Sequence, residues 1–323
     1  MTNRKRKIWI WMMASMTMLI ALSCSSDKDS PEPEPMVRPT KVVINIPSDM
    51  SQTRADGQTR ADGQQLALRA VIEMYNPGST HLINHRNVLL IPTAVTNVYY
   101  FELDDLNEGN YDMYVWSDYS SDDSDLFYNT ESLKSVQIIS KFSDSDQRRA
   151  YMGKMSIGID NDVQTHQQPV KMKSPFAHYR IEAMDLDTYN QMRSANGWPA
   201  IEDVEVRVTY RGFVPTSFDV LAGAPNDAAQ GVSINSKPSI LDDGKIIVYD
   251  DLVFASGTGT SVSVNVEIVN PVNQEVINSM DVKMDCQPGY VTTVSGDVLT
   301  GDISIGSSIN IDTHWEGEYN VEF

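Results

Sequence analysis

Val204-Glu205-Val206-Arg207-Val208-Thr209-Tyr210 and, later, Val262-Ser263-Val264-Asn265-Val266-Glu267-Ile268 alternate apolar and polar side chains at every step. A period of two lays one set of side chains on each face of an extended strand, whereas a helix requires spacings of three and four. The β-branched residues in both runs favour pleated backbone. The pattern recurs at residues 66–74, where Leu66, Leu68, Ala70, Ile72 and Met74 share one face while Arg69 and Glu73 stand on the other, predicting a half-buried strand. Met280, Val282, Met284 and Cys286 form another alternating set, which makes Cys286 a buried strand residue rather than a nucleophile.

Working outward, strands are expected at Lys41, Val42, Val43, Ile44, Asn45 and Ile46, stopped by Pro47, and at residues 88–91, 98–103, 111–117 and 290–294. Asn76-Pro77-Gly78 turns the chain early, and Pro288-Gly289 predicts a hairpin between the Cys286 strand and its successor. One short helix is expected over residues 187–194, with Asp187 as N-cap and Gly197 near its end. Such strand spacing implies an all-β fold of sandwich type. A chain of 323 residues, with a change in composition at Lys171-Met172-Lys173-Ser174-Pro175, predicts two tandem sandwiches over residues 40–173 and 174–323.

The first 23 residues have signal-peptide anatomy: Arg4, Lys5, Arg6 and Lys7, an apolar run from Ile8 to Leu22, then small Ser23 before Cys24. That run is shorter than the roughly 20 apolar residues a membrane span needs. Residues 24–39 form a proline-spaced acidic linker that favours extended backbone. After the first strand comes a tandem repeat, Gln52-Thr53-Arg54-Ala55-Asp56-Gly57 and Gln58-Thr59-Arg60-Ala61-Asp62-Gly63, polar and glycine-punctuated and therefore expected as an exposed loop open to proteases.

Removing the four basic residues of the leader takes the net charge from −19 to −23. A surface so acidic repels nucleic acid and anionic headgroups. With Cys24 committed elsewhere, Cys286 has no disulfide partner and no bridge is expected. Asp118, Asp122, Asp123 and Asp125 crowd one stretch, but without the ordered spacing and central glycine of a calcium loop they predict a solvated acidic tip. His81 and His85 carry ligand spacing only on a helix, and their surroundings predict loop, so no metal and no cofactor are assigned. There is no zincin helix, nucleophile elbow or phosphate loop, and the expectation is a protein that is not an enzyme. A hydrolase using two carboxylates far apart in the chain stays open at this stage.

Several stretches resemble known families. Ala21-Leu22-Ser23-Cys24 resembles a lipobox, with Ala21 where a larger aliphatic residue is usual, and implies lipid attachment at Cys24. Stable anchoring requires more than one acyl chain. Ser25-Ser26-Asp27-Lys28-Asp29 resembles the signal that sends Bacteroidetes lipoproteins to the outer face of the outer membrane. Leu106-Asn107-Glu108-Gly109-Asn110-Tyr111 with Val115-Trp116-Ser117-Asp118-Tyr119 resembles the N-terminal domain of Bacteroidetes fimbrillin-like lipoproteins. The run Val208 to Val220 with Ala224-Pro225-Asn226-Asp227, and Val298-Leu299-Thr300-Gly301-Asp302 with Ile311 to Glu318, resemble later parts of that family.

The resemblance implies two transthyretin-like β-sandwiches on a surface lipoprotein of the outer membrane that builds or anchors a fimbria with other subunits. It also implies an arginine-specific cut after the first strand, which Arg54 or Arg60 would supply. Cutting there would free Lys41 to Ile46 as an exchangeable strand and detach Cys24, leaving a groove for a neighbour's strand. The alternative expectation is a surface glycan-binding lipoprotein that does not polymerise, using Trp116, Tyr119, Trp198 and Trp315 as aromatic platforms, although most of these sit in or beside strand patterns that predict a core role and Trp315 is expected to pack. A host protein or glycan is the partner either reading would add.

Overall fold

The alternating runs form strands in the computed structural model, which describes residues 40–47, 66–104, 106–120, 124–139, 148–160, 165–241, 244–301 and 308–312. In chain order they are β1 (Thr40–Asn45), β2 (Ala67–Tyr75), β3 (Leu82–Leu89), β4 (Ile91–Pro92), β5 (Val98–Leu103), β6 (Gly109–Ser120) and β7 (Tyr128–Asn129). Next come β8 (Val136–Ile138), β9 (Tyr151–Ile159), β10 (Thr165–Lys171), β11 (Phe176–Ala183), helix α1 (Leu186–Asn196), β12 (Glu205–Tyr210), β13 (Val214–Asp219) and β14 (Ala224–Ala229). The remaining strands are β15 (Ser233–Ser236), β16 (Ser239–Ile240), β17 (Ile246–Phe254), β18 (Thr260–Asn270), β19 (Glu275–Cys286), β20 (Val291–Gly296) and β21 (Ser308–Asp312). The fold is all-β, as the alternation requires.

Two cores organise the region Val37–Phe323, which is one compact unit. Sheets β10-β1-β5-β4 and β3-β2-β6-β9 enclose the first, joined by β14-β13-β8-β7. Sheets β16-β17-β11-β20-β21 and β15-β12-β18-β19 enclose the second. β11 and β17 pass from one core to the other: Phe176, Leu252 and Phe254 belong to the first, while Tyr179, Ile181, Ile246 and Val248 belong to the second. The sheet containing β8 and β13 pairs strands from both sides of residue 173.

An aromatic group closes the first core at that crossing. Phe176 and Phe254 are register partners and stack at 4.6 Å, and Trp116 packs on Tyr128 at 5.1 Å and on Phe254 at 6.4 Å. A buried ion pair from Arg148 to Asp251 ties the chain just ahead of β9 to β17. Asp251 Oδ2 also accepts hydrogen bonds from the Tyr210 and Tyr249 hydroxyls, each at 3.1 Å.

The structure corrects several expectations. β2 is buried on both faces, not one: Arg69 and Glu73 are as inaccessible as Ala70 and Ile72. Each is satisfied internally, which is the condition for burying a charge. Arg69 donates to Asp118 Oδ1 at 2.6 Å and to Asp125 Oδ1 at 2.8 Å. Glu73 accepts from the Tyr75 hydroxyl at 2.5 Å and the Leu133 N–H at 2.9 Å, and lies 3.2 Å from His85 Nδ1.

The strand expected at 88–91 instead starts at Leu82 as β3, so His85 sits on a strand and not in a loop. Pro288-Gly289 does not make a hairpin, because β19 pairs with β18 while β20 pairs with β11 and β21; the turn carries the chain between sheets. Helix α1 begins before Asp187, which lies in its first turn. The N-cap position is Asp185, whose carboxylate is taken by the N–H groups of Leu299 and Thr300 at 3.1 and 2.7 Å. Gly197 ends the helix at φ 69°, a left-handed cap that favours glycine.

Candidate functional site

β1 is the candidate site. Its inward residues Val42 and Ile44, with Ile46 just past its end, are buried to within 1% exposure, while Lys41 and Val43 on the other face are half-buried. Fully burying a side chain of this size contributes about 1.5–3 kcal/mol. The strand is central in its sheet. Along β5 it runs antiparallel from Thr40↔Leu103 to Asn45↔Val98, and along β10 it runs parallel from Lys41↔Thr165 to Asn45↔Lys171.

The parallel ladder is irregular: Val42 pairs with His166 but Ile44 pairs with Val170, so β10 bulges around Pro169. A bulge is where a strand tolerates a residue with no N–H to give. Lys41 Nζ lies 3.7 Å from the centroid of the Tyr100 ring, a cation–π contact on the outer face. Beyond the strand, Ile46 N–H donates to Asn97 O at 3.0 Å, with Asn97 at φ 68°, a conformation asparagine tolerates better than most residues. Asn45 Oδ1 is buried with no hydrogen-bond partner among the described residues.

Because β5 and β10 both follow β1 in sequence, β1 fills a slot whose walls belong to the rest of the fold. Twenty-one residues, 46–66, connect it to β2. Removing it would uncover two rows of backbone groups and three apolar pockets, all of which an incoming strand of the same direction would satisfy.

Cys24, Arg54 and Arg60 lie outside the described residues, as does Trp315. The acidic stretch is not a solvated tip at its start, where Asp118 is fully buried in β6; Asp125 is exposed, with its side chain tied to Arg69. Burial pushes the Asp118 carboxyl above its usual range, countered by Arg69. Burial also acts on Asp125, but the Thr130 and Arg69 hydrogen bonds outweigh it and hold that carboxyl low. Asp122 and Asp123 lie outside the described residues. Among the described residues no three His, Cys, Asp or Glu side chains are placed to hold a metal.

The aromatics follow the strand patterns they lie in. Trp116 is fully buried and Tyr119 nearly so, because β6 is packed on both faces near its end, and Trp198 is half-buried and stacked on Tyr189 at 5.6 Å. Cys286 is buried on β19, and burial pushes its thiol up to about 11.

No curated protein matches the chain. Solved structures similar to it include a protein from Bacteroides thetaiotaomicron proposed to bind polysaccharide, with 9% identity, TM-score 0.48, and coverage of 84% of this chain and 97% of that one. Also similar are a proposed cell adhesion protein from Bacteroides ovatus, at 12% identity, TM-score 0.48 and coverage of 85% and 96%, and a fimbrial assembly protein from Parabacteroides distasonis, at 9% identity, TM-score 0.46 and coverage of 87% and 97%. A family model matches residues 35–323, so the chain belongs to a family of unknown function, DUF6562.

Proposed function

We propose that this chain is a fimbrillin-like surface lipoprotein, held by lipid at Cys24, that joins a fimbria by surrendering β1 and accepting a neighbour's strand in its place. The observation that supports this most is the seating of β1: hydrogen-bonded on both sides, apolar on its inner face, and joined to the fold only through the segment carrying Arg54 and Arg60. While that segment is intact, the covalent link keeps β1 at high effective concentration beside its slot and the molecule stays a tethered anchor. Once the segment is cut, β1 is held by contacts alone and a second strand can compete for the same pockets. No catalytic role is assigned to the chain. The glycan-binding alternative has lost two of its platforms to the core, Trp116 and Tyr119.

N-terminal mapping of the surface protein tests the proposal. A new terminus at Ala55 or Ala61 on assembled material supports the exchanging subunit, and lipidated Cys24 on assembled material supports the anchor. If arginine-specific cutting leaves a monomer that retains β1 and never forms detergent-resistant multimers, strand exchange is wrong.

A further inference from the structure

Three of the eight described lysines, Lys154, Lys171 and Lys173, meet at one cleft in a chain whose net charge is −19. Their convergence follows from a missing side chain. A Cβ on Gly153 would lie 2.7 Å from Met172 Sδ, 2.8 Å from Val170 Cγ1 and 2.9 Å from the Lys171 carbonyl oxygen, so only glycine lets β9 touch the end of β10. Met152 and Lys173 then exchange two backbone hydrogen bonds of 2.8 Å, which fixes the corner.

The opposite wall is the turn after β13. Asp219 shapes it by accepting the Ala222 N–H on Oδ1 at 2.9 Å and the Gly223 N–H on its carbonyl at 2.8 Å, with Gly223 at φ 69°. Between these walls is a cleft of about 220 Å³ with Met152, Val220 and Leu221 among its lining and no carboxylate in it. Among the described residues none of the three ammonium groups forms an ion pair; Asp112 acts on Lys154 only through its field. An acidic protein repels anions everywhere except where its positive charges are gathered, and a concave wall concentrates their field.

We propose that this cleft binds a small organic carboxylate with an apolar face, its charge held by Lys154, Lys171 and Lys173 and its body laid against Met152, Val220 and Leu221. Lysine suits a single carboxylate approached from several sides, because its ammonium is a point charge on a flexible stem rather than a planar fork. Two sources share this chemistry, an acidic sugar and a branched short-chain acid. The site does not depend on strand exchange.

Calorimetric titration of the full mature chain at low ionic strength tests it, with D-glucuronate, isobutyrate, D-glucose and inorganic phosphate as probes. Glucuronate or isobutyrate is expected to bind saturably, the tighter of the two naming the source, while glucose does not bind and phosphate binds more weakly. The exposed substitutions K171Q and K173Q together are expected to weaken binding about tenfold or more, and K171R with K173R to retain it, with thermal midpoints unchanged in both. Absence of saturable binding by either carboxylate, equal affinity in the glutamine variant, or phosphate binding as tightly as the carboxylates would overturn the assignment.

Discussion

Ile44 and Asn45 are neighbours on β1 with opposite energetic standing. Ile44 is fully buried in the first core, whereas Asn45 carries a buried amide oxygen with no partner among the described residues. Ile44→Ala should therefore cost about 2–5 kcal/mol, as truncations in packed cores do. Asn45→Ala removes an orphaned group and should change stability by about 1 kcal/mol or less. Urea midpoints of the two variants check this. A second residue-scale expectation concerns Glu73. Burial tends to raise its carboxyl, but hydrogen bonding with His85, Tyr75 and Leu133 prevails and holds it below the ordinary value. The folded state then binds fewer protons there than the unfolded chain, so the stabilisation is present above the ordinary glutamate range and is lost as pH falls through the folded value. Asp118 and Asp251, raised by burial, act in the opposite sense. Glu73→Gln should lower stability at neutral pH and flatten its decline between neutral and acid pH, as read from urea midpoints across that range.

At the scale of elements, the strands legible in the sequence were those whose alternation is uninterrupted, such as β12 and β18, which indeed pair with each other from Glu205↔Val269 to Tyr210↔Val264. β3 was legible only at its end, because Asn84, His85, Arg86 and Asn87 place polar residues on both faces of an edge strand. β2 was recognised as a strand, but its second buried face was not: Arg69 and Glu73 look like solvent-facing charges until Asp118, 49 positions away, and Leu133, 60 positions away, come alongside. The Pro288-Gly289 turn was visible, yet a local turn signal says nothing about which sheet receives the next strand. The lysines of the cleft were visible only as a change in composition, since Gly153 reveals its purpose when β10 is seen against it. β1 itself yields an element-scale prediction. After the 48–65 segment is cut at an engineered site, a labelled peptide copying residues 40–47 should replace the native strand at a rate set by β1 departure, saturating with peptide concentration. The same peptide with Ile44→Asp should not enter. Fluorescence anisotropy follows both.

At the scale of the molecule, the two cores are held together by the shared strands β11 and β17 and by the buried pair Arg148–Asp251. Removing one member of a buried pair strands the other charge, so Arg148→Met should cost about 3–5 kcal/mol. Replacing both, as Arg148→Met with Asp251→Leu, should cost less than the sum of the single changes. A double-mutant cycle on urea midpoints measures the difference.

The place of β1 in its sheet also governs how the protein is made. Thr40 to Asn45 emerge from the ribosome before either flanking strand exists, and the second of these, β10, ends at Lys171. Among the described strands the first to be made thus cannot be paired on both sides until Lys171 has been made, and the trench between β5 and β10 stays open until β1 enters it. Such distant pairing is slow to form, so every newly made copy passes through a receptive interval before its own strand closes it.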